Sequence, residues 1–111
     1  MRKRKPPDEL RGTQEFAIFY FSLSEGSELK RVIEVSLEAL REDVLAGEKI
    51  EKKKWPKKYV QEYGIHNLFK IDVGREGRLT YTIIAEGRKK IVCVIEFFSS
   101  HKSYDRRFGY A

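Results

Sequence analysis

The sequence predicts a single small α+β domain. It has an N-terminal strand, one long helix with room for a second short one, and then a three-strand antiparallel meander, with the helices on one face of a four-stranded sheet. Three observations predict it. The chain has 111 residues, too few for two hydrophobic cores. Leu29, Val32, Ile33, Leu37, Leu40 and Val44 recur at the spacing of one helical stripe. From Phe69 onward the period changes to alternation, interrupted by two glycine-bearing turns.

Taken in order, residues 1–10 hold Arg2, Lys3, Arg4 and Lys5 before the pair Pro6-Pro7 and read as a basic flexible arm, leaving 11–111 as the domain. Phe16-Ala17-Ile18-Phe19-Tyr20-Phe21 is apolar on both parities, the pattern of a strand covered on both sides. Ser22 to Ser27 is a turn in which Ser24 and Ser27 are both usable helix N-caps. The long helix follows, with Glu34, Glu38, Arg41 and Glu42 outward and Gly47 suited to its C-terminal end. Lys49 to Gly64 is irregular and broken by Pro56, with a short helix at Lys57–Tyr63.

In the meander, Phe69, Ile71 and Val73 share one strand face, and Lys70 and Asp72 the other. Gly74-Arg75-Glu76-Gly77 is a hairpin loop. The next strand sets Leu79, Tyr81 and Ile83 against Arg78, Thr80 and Thr82, and a turn at Glu86–Lys89 leads into a last strand from Lys90 to Phe98 and a polar tail. One helical stripe buries against one sheet face, which leaves Lys70, Asp72, Arg78, Thr80 and Thr82 on a polar, open face.

Apolar residues make up 41% of the chain, which supports a packed core rather than disorder. The single cysteine, Cys93, lies in the run Ile91-Val92-Cys93-Val94-Ile95 and reads as a small core residue. It allows no internal disulfide and no four-ligand Cys/His metal site, so a reducing compartment is expected. No signal-peptide apolar region follows the charged N-terminus, and the longest apolar stretch is too short to span a bilayer. The expectation is a soluble, cytoplasmic protein.

Net charge is +6, unevenly spread. Glu25 to Glu51 holds eight acidic and four basic residues, so the remainder carries +10. The excess gathers in the N-terminal arm, around Trp55 and in the last third. Such segregation suits a surface that meets a polyanion, the alternative being a scattered set of solubilising lysines. Lys52, Lys53, Lys54, Lys57 and Lys58 flank Trp55 and precede Tyr59. That mixture suits an RNA backbone with rings that stack on bases, or else a solvated charge run around a core tryptophan.

The stretches Asn67-Leu68-Phe69-Lys70-Ile71-Asp72-Val73, Gly77-Arg78-Leu79-Thr80-Tyr81-Thr82-Ile83, Val94-Ile95-Glu96-Phe97-Phe98 and His101-Lys102-Ser103-Tyr104, with Arg106-Arg107-Phe108-Gly109-Tyr110 closing the chain, resemble the RelE/ParE toxin superfamily over residues 15–110. The resemblance implies a RelE-like fold and the toxin of a type II toxin–antitoxin system. The activity it implies is that of a metal-independent endoribonuclease, an mRNA interferase cutting mRNA on the ribosome through 2′-OH attack, with no cofactor and a cognate antitoxin protein as partner. The same superfamily contains ParE-like members that inhibit DNA gyrase by binding alone. A non-catalytic RNA-binding relative is a further alternative.

Metal-free RNA cleavage needs a base for the 2′-OH proton, a cation for the phosphorane charge and an acid for the departing 5′-oxygen. Arg78 matches the strand arginine of the family and would hold phosphate with two hydrogen bonds; the plainer alternative is a surface arginine paired with Glu76 or Asp72. His101 and Tyr104, on a loop past the last strand, would act as acid, base or positioning groups, or merely cap the sheet end. His66 reads as a turn residue. The resemblance places Lys53, Lys54 and Lys57 near the active site. With Lys58, Trp55, Arg106 and Arg107 they form the expected RNA-binding set.

Overall fold

A computed structural model describes residues 3–109. Met1, Arg2, Tyr110 and Ala111, which belong to the expected arm and to the closing motif, lie outside the described residues. The architecture is α+β with a mixed five-stranded sheet in the order β1-β5-β4-β3-β2. The strands are β1 (Glu9–Gly12), β2 (Glu48–Lys49), β3 (Phe69–Val73), β4 (Gly77–Glu86) and β5 (Lys89–Phe98). The helices are α1 (Gln14–Ser22), α2 (Glu28–Glu42), α3 (Lys57–Tyr63) and α4 (His101–Phe108), with a 3-10 turn at Lys52–Lys54.

The long helix, the short helix and the meander form where their periodicities place them. Ser27, not Ser24, caps α2, accepting from the Lys30 amide. Ile33, Leu37, Leu40 and Val44 pack on Phe69, Val73, Leu79, Tyr81, Val92 and Val94. Asp43, not Gly47, ends α2. Gly47 instead lies against the sheet, where a Cβ would sit 2.2 Å from the Lys70 carbonyl oxygen. Its amide donates to the Tyr81 hydroxyl at 3.1 Å, and that hydroxyl donates to the Val44 carbonyl at 2.8 Å.

Three expectations are corrected. Phe16–Phe21 is helix, not strand: an unbroken apolar run fits either period, and the Thr13 hydroxyl starts the helix by accepting from the Phe16 amide as an N-cap. The first strand is instead Glu9–Gly12, which pairs in parallel with Ile91–Val94. The arm is accordingly not loose over residues 3–10. Asp8 exchanges hydrogen bonds with Lys90, and Lys5 bonds Val44 through its carbonyl and Asp43 through its amide.

The third correction concerns the open face. Helices cover both sides of the sheet, α1 and α2 on one and α3 and α4 on the other. The polar tail is helix α4, started by a capping box between Ser100 and Ser103. Under α3 and α4 lies a second apolar cluster of Ile50, Tyr59, Ile65, Leu68, Ile95, Phe98, Tyr104 and Phe108. Thr80 and Thr82, expected to be exposed, are buried beneath it. A β-bulge serves both clusters. Thr80 pairs with Glu96 and Tyr81 with Val94, so Ile95 is the extra residue. The bulge sends Ile95 and Glu96 to the α3/α4 side while Val94 and Phe97 pack with the first cluster.

Among the described residues no helix is long and apolar enough to cross a membrane.

Candidate active site

Arg78 is the second residue of β4, just past the hairpin. Gly77 opens the strand because the chain is tight there: a Cβ would stand 2.8 Å from the Val73 carbonyl oxygen. Antiparallel pairing places Asp72 directly opposite Arg78 and Lys70 opposite Thr80, all on the α3/α4 face. The capping box starts α4 at His101, and Tyr104 follows one turn later on the same helical side. Both therefore come down on the end of the sheet where Arg78 and Lys70 lie.

The resulting geometry is close. Arg78 Nη2 is 3.3 Å from His101 Nε2. A guanidinium has only donors, so this contact is a hydrogen bond when Nε2 carries the lone pair and Nδ1 the proton. The Arg78 Cζ sits 4.6 Å from the Tyr104 ring centroid, over the ring, and Lys70 Nζ sits 5.6 Å from it. Phe108 stacks on the same ring at 4.2 Å and Phe98 meets it edge-on. Tyr104 is thus a buried aromatic platform on a helix, not a loop residue, and two cations lie against it.

Arg78 keeps 16% of its side chain exposed, and Asp72 Oδ1 is 3.6 Å from its Nε. That separation is within ion-pair range but too long for a hydrogen bond, and Nε is buried without a hydrogen-bond partner. The guanidinium is therefore held by charge and stacking at Nε and Cζ, while Nη2 meets the exposed imidazole of His101.

Arg78, His101 and Tyr104 come together, and Lys70 joins them. Sequence reasoning set Lys70 on the same polar face but did not select it; its strand parity, shared with Asp72, was the available signal. The other expected residues divide. Arg107 forms two bonds to Glu96, Nε to Oε1 at 3.1 Å and Nη2 to Oε2 at 2.9 Å. The same carboxylate accepts from the Tyr59 hydroxyl at 2.7 Å. Burial pushes the Tyr59 phenol far above its ordinary range, with the Glu96 carboxylate adding to the rise. Arg107 is raised by its hydrogen bond to Glu96. Arg106 is exposed on the outer side of α4 and lines a cleft of about 530 Å³ with Phe19, Phe97 and Ser99.

The lysines form a separate group around α3. Lys53 pairs with Glu51 and Lys58 with Glu15, both at 3.5 Å. Lys54 and Lys57 are exposed. Trp55 donates its indole N–H to the Ile50 carbonyl at 2.9 Å and packs against the second cluster. Cys93 is half-buried on β5, where burial pushes its thiol up.

In comparisons with protein-family models, curated proteins and solved structures, nothing matches the chain. The site therefore rests on its own geometry.

Proposed function

We propose that the chain is the toxin of a type II toxin–antitoxin pair, a metal-independent endoribonuclease that cuts mRNA on the ribosome in the cytoplasm and is neutralised by a cognate antitoxin. The observation that carries this reading is the convergence of Arg78, His101 and Tyr104, from two distant stretches of chain, at one end of the sheet.

In this reading the RNA 2′-oxygen forms a bond to phosphorus as the P–O5′ bond breaks, leaving a 2′,3′-cyclic phosphate and a 5′-OH. Arg78 meets the charge that grows on the non-bridging oxygens with the paired donors of its planar fork. Exposed His101, once its Nε2 lone pair turns from Arg78 to the RNA, is the group suited to take the 2′-OH proton, and water at the exposed sheet end supplies the proton to the departing 5′-oxygen. Tyr104 acts through its ring, holding the guanidinium over the sheet end, and Lys70 adds a second positive charge beside the phosphate. Arg78→Lys keeps the charge but loses the fork and the stacking. It is expected to cut cleavage about 10²- to 10³-fold, the loss typical of one transition-state donor. The measurement is message fragmentation after induction, with cyclic-phosphate ends mapped. Full fragmentation by Arg78→Ala would remove the nuclease reading.

One observation favours a second reading, a ParE-like inhibitor of DNA gyrase that acts by binding. Arg78 already has Asp72 and His101 as neighbours and is mostly buried. Growth arrest with intact message and broken DNA would select it.

A further inference from the structure

Beside α3 is a cleft of about 550 Å³ lined by Lys52, Trp55, Lys57, Val60, Gln61, Ile65 and His66. It shares no lining residue with the Arg78 constellation. Lys57, Val60 and Gln61 stand at i, i+3 and i+4, so α3 turns one face to the cleft. Gly64 then ends the helix in a left-handed conformation, φ 55°, which returns the chain so that Ile65 and His66 complete the wall.

The lining is an aromatic ring and two aliphatic side chains with a cationic rim. Trp55 has its N–H tied inward to Ile50, which fixes the indole plane. Val60 is 47% exposed, an apolar wall with no cover among the described residues. Lys52 and Lys57 pair with no carboxylate among the described residues, unlike their neighbours Lys53 and Lys58. Gln61 and His66 offer hydrogen-bonding groups to the edge of a flat ligand. A flat apolar ring joined to a phosphate satisfies every part of this lining.

We infer that the cleft is a base-binding subsite for an unpaired nucleotide of single-stranded RNA, its ring against Trp55 and Val60 and its flanking phosphates on Lys52 and Lys57. The inference rests on RNA being the ligand of this protein, not on its being cut. Recognition by stacking adds an anchor away from the reacting phosphate, so it positions the strand without entering the chemistry.

Trp55 is the one tryptophan of the sequence and reports on the cleft directly. The probes are a 2′-O-methyl oligoadenylate, which 2′-OH attack cannot cut, adenosine 5′-monophosphate, and inorganic polyphosphate. The oligonucleotide is expected to quench Trp55 fluorescence and polyphosphate is not. Val60→Glu, on an exposed position that leaves the core intact, is expected to weaken binding about tenfold or more, the loss of one stacked base. Lys52→Ala/Lys57→Ala is expected to flatten the slope of log affinity against log salt by about 1.4, two single-strand phosphates. Tighter binding of the oligonucleotide than of the mononucleotide assigns the cleft to a strand, and equal binding assigns it to free nucleotides. Quenching by polyphosphate to the same extent, or unchanged affinity in Val60→Glu, overturns the subsite. Wild-type protein and Arg78→Ala together separate the two proposals: retained quenching with no cleavage by either removes only the nuclease, and cleavage by the wild type without quenching removes only the cleft.

Discussion

The two faces of the sheet are built by opposite means. On the α2 side, Ile33, Leu37 and Leu40 meet strand side chains that are almost all hydrocarbon, and the charges of the helix pair among themselves outside it, Arg31 with Glu28 and Arg41 with Glu34 and Glu38. On the α3/α4 side the cover is aromatic and its polar groups are woven into the packing. Tyr59 reaches Glu96 and Thr80, Tyr104 carries Arg78, and Arg107 closes on Glu96 from above. The first face does one thing, which is to hold the sheet. The second holds the sheet while keeping cations near its edge, and that dual task explains its rings: an aromatic face packs as a hydrocarbon and still attracts a guanidinium.

The contrast predicts different costs. The largest is expected on the dry side, where Leu40 is fully buried. Leu40→Ala should cost about 2–5 kcal/mol, because lost burial and an unfilled cavity add. Denaturant melts read this, and a loss under about 1 kcal/mol would show that α2 does not supply the core.

A smaller loss is expected from Tyr59→Phe on the other side, which removes one hydroxyl and leaves Glu96 still paired with Arg107. About 1–3 kcal/mol follows from breaking a buried hydrogen bond to a charged group. The sharper test is a double-mutant cycle with Arg107→Ala. Simple additivity there would mean that Tyr59, Glu96 and Arg107 do not act as one network.

A last effect, absent at neutral pH, concerns a polar group under α2. Burial raises the Tyr81 phenol to about 12. The folded state thus keeps a proton that the unfolded chain releases near pH 10. Stability from this group is whole below pH 10 and declines as pH rises toward 12, by about 1.4 kcal/mol per pH unit. Tyr20 and Tyr63 are also raised to about 12, but both are partly exposed and screened by solvent, so their share of the decline is smaller. Tyr81→Phe should flatten the alkaline limb by one proton's worth in melts between pH 9 and 12, and an unchanged limb would contradict the assignment.

Much of the candidate site was legible before any coordinates. Arg78, Lys70 and Asp72 could be set on one strand face because parity is local. His101 and Tyr104 could be set past the last strand, but not on a helix. The capping pair Ser100 and Ser103 sits in a stretch of low hydrophobicity whose stripe, Tyr104 and Phe108, is only two residues long. For the same reason the second cluster was invisible: its members come from five separate stretches, and Phe98 reaches it only because the bulge shifts the parity of β5 after Ile95.

What the sequence determined by itself is whatever a period can encode within one element: the α2 stripe, the alternation of β3 and β4, the tight hairpin at Gly74–Gly77, and the gathering of basic charge outside Glu25–Glu51. Tertiary structure decided what depends on partners far along the chain. Phe16–Phe21 became helix because Glu9–Gly12 took the place beside β5 and left the run to pack its rings over that strand, as Phe19 does on Phe97. The face expected to be bare was covered because α4 packed its rings over Arg78. A run that satisfies two periods equally has no local preference strong enough to settle its form, so the free energy of burying it against the rest of the molecule makes the choice.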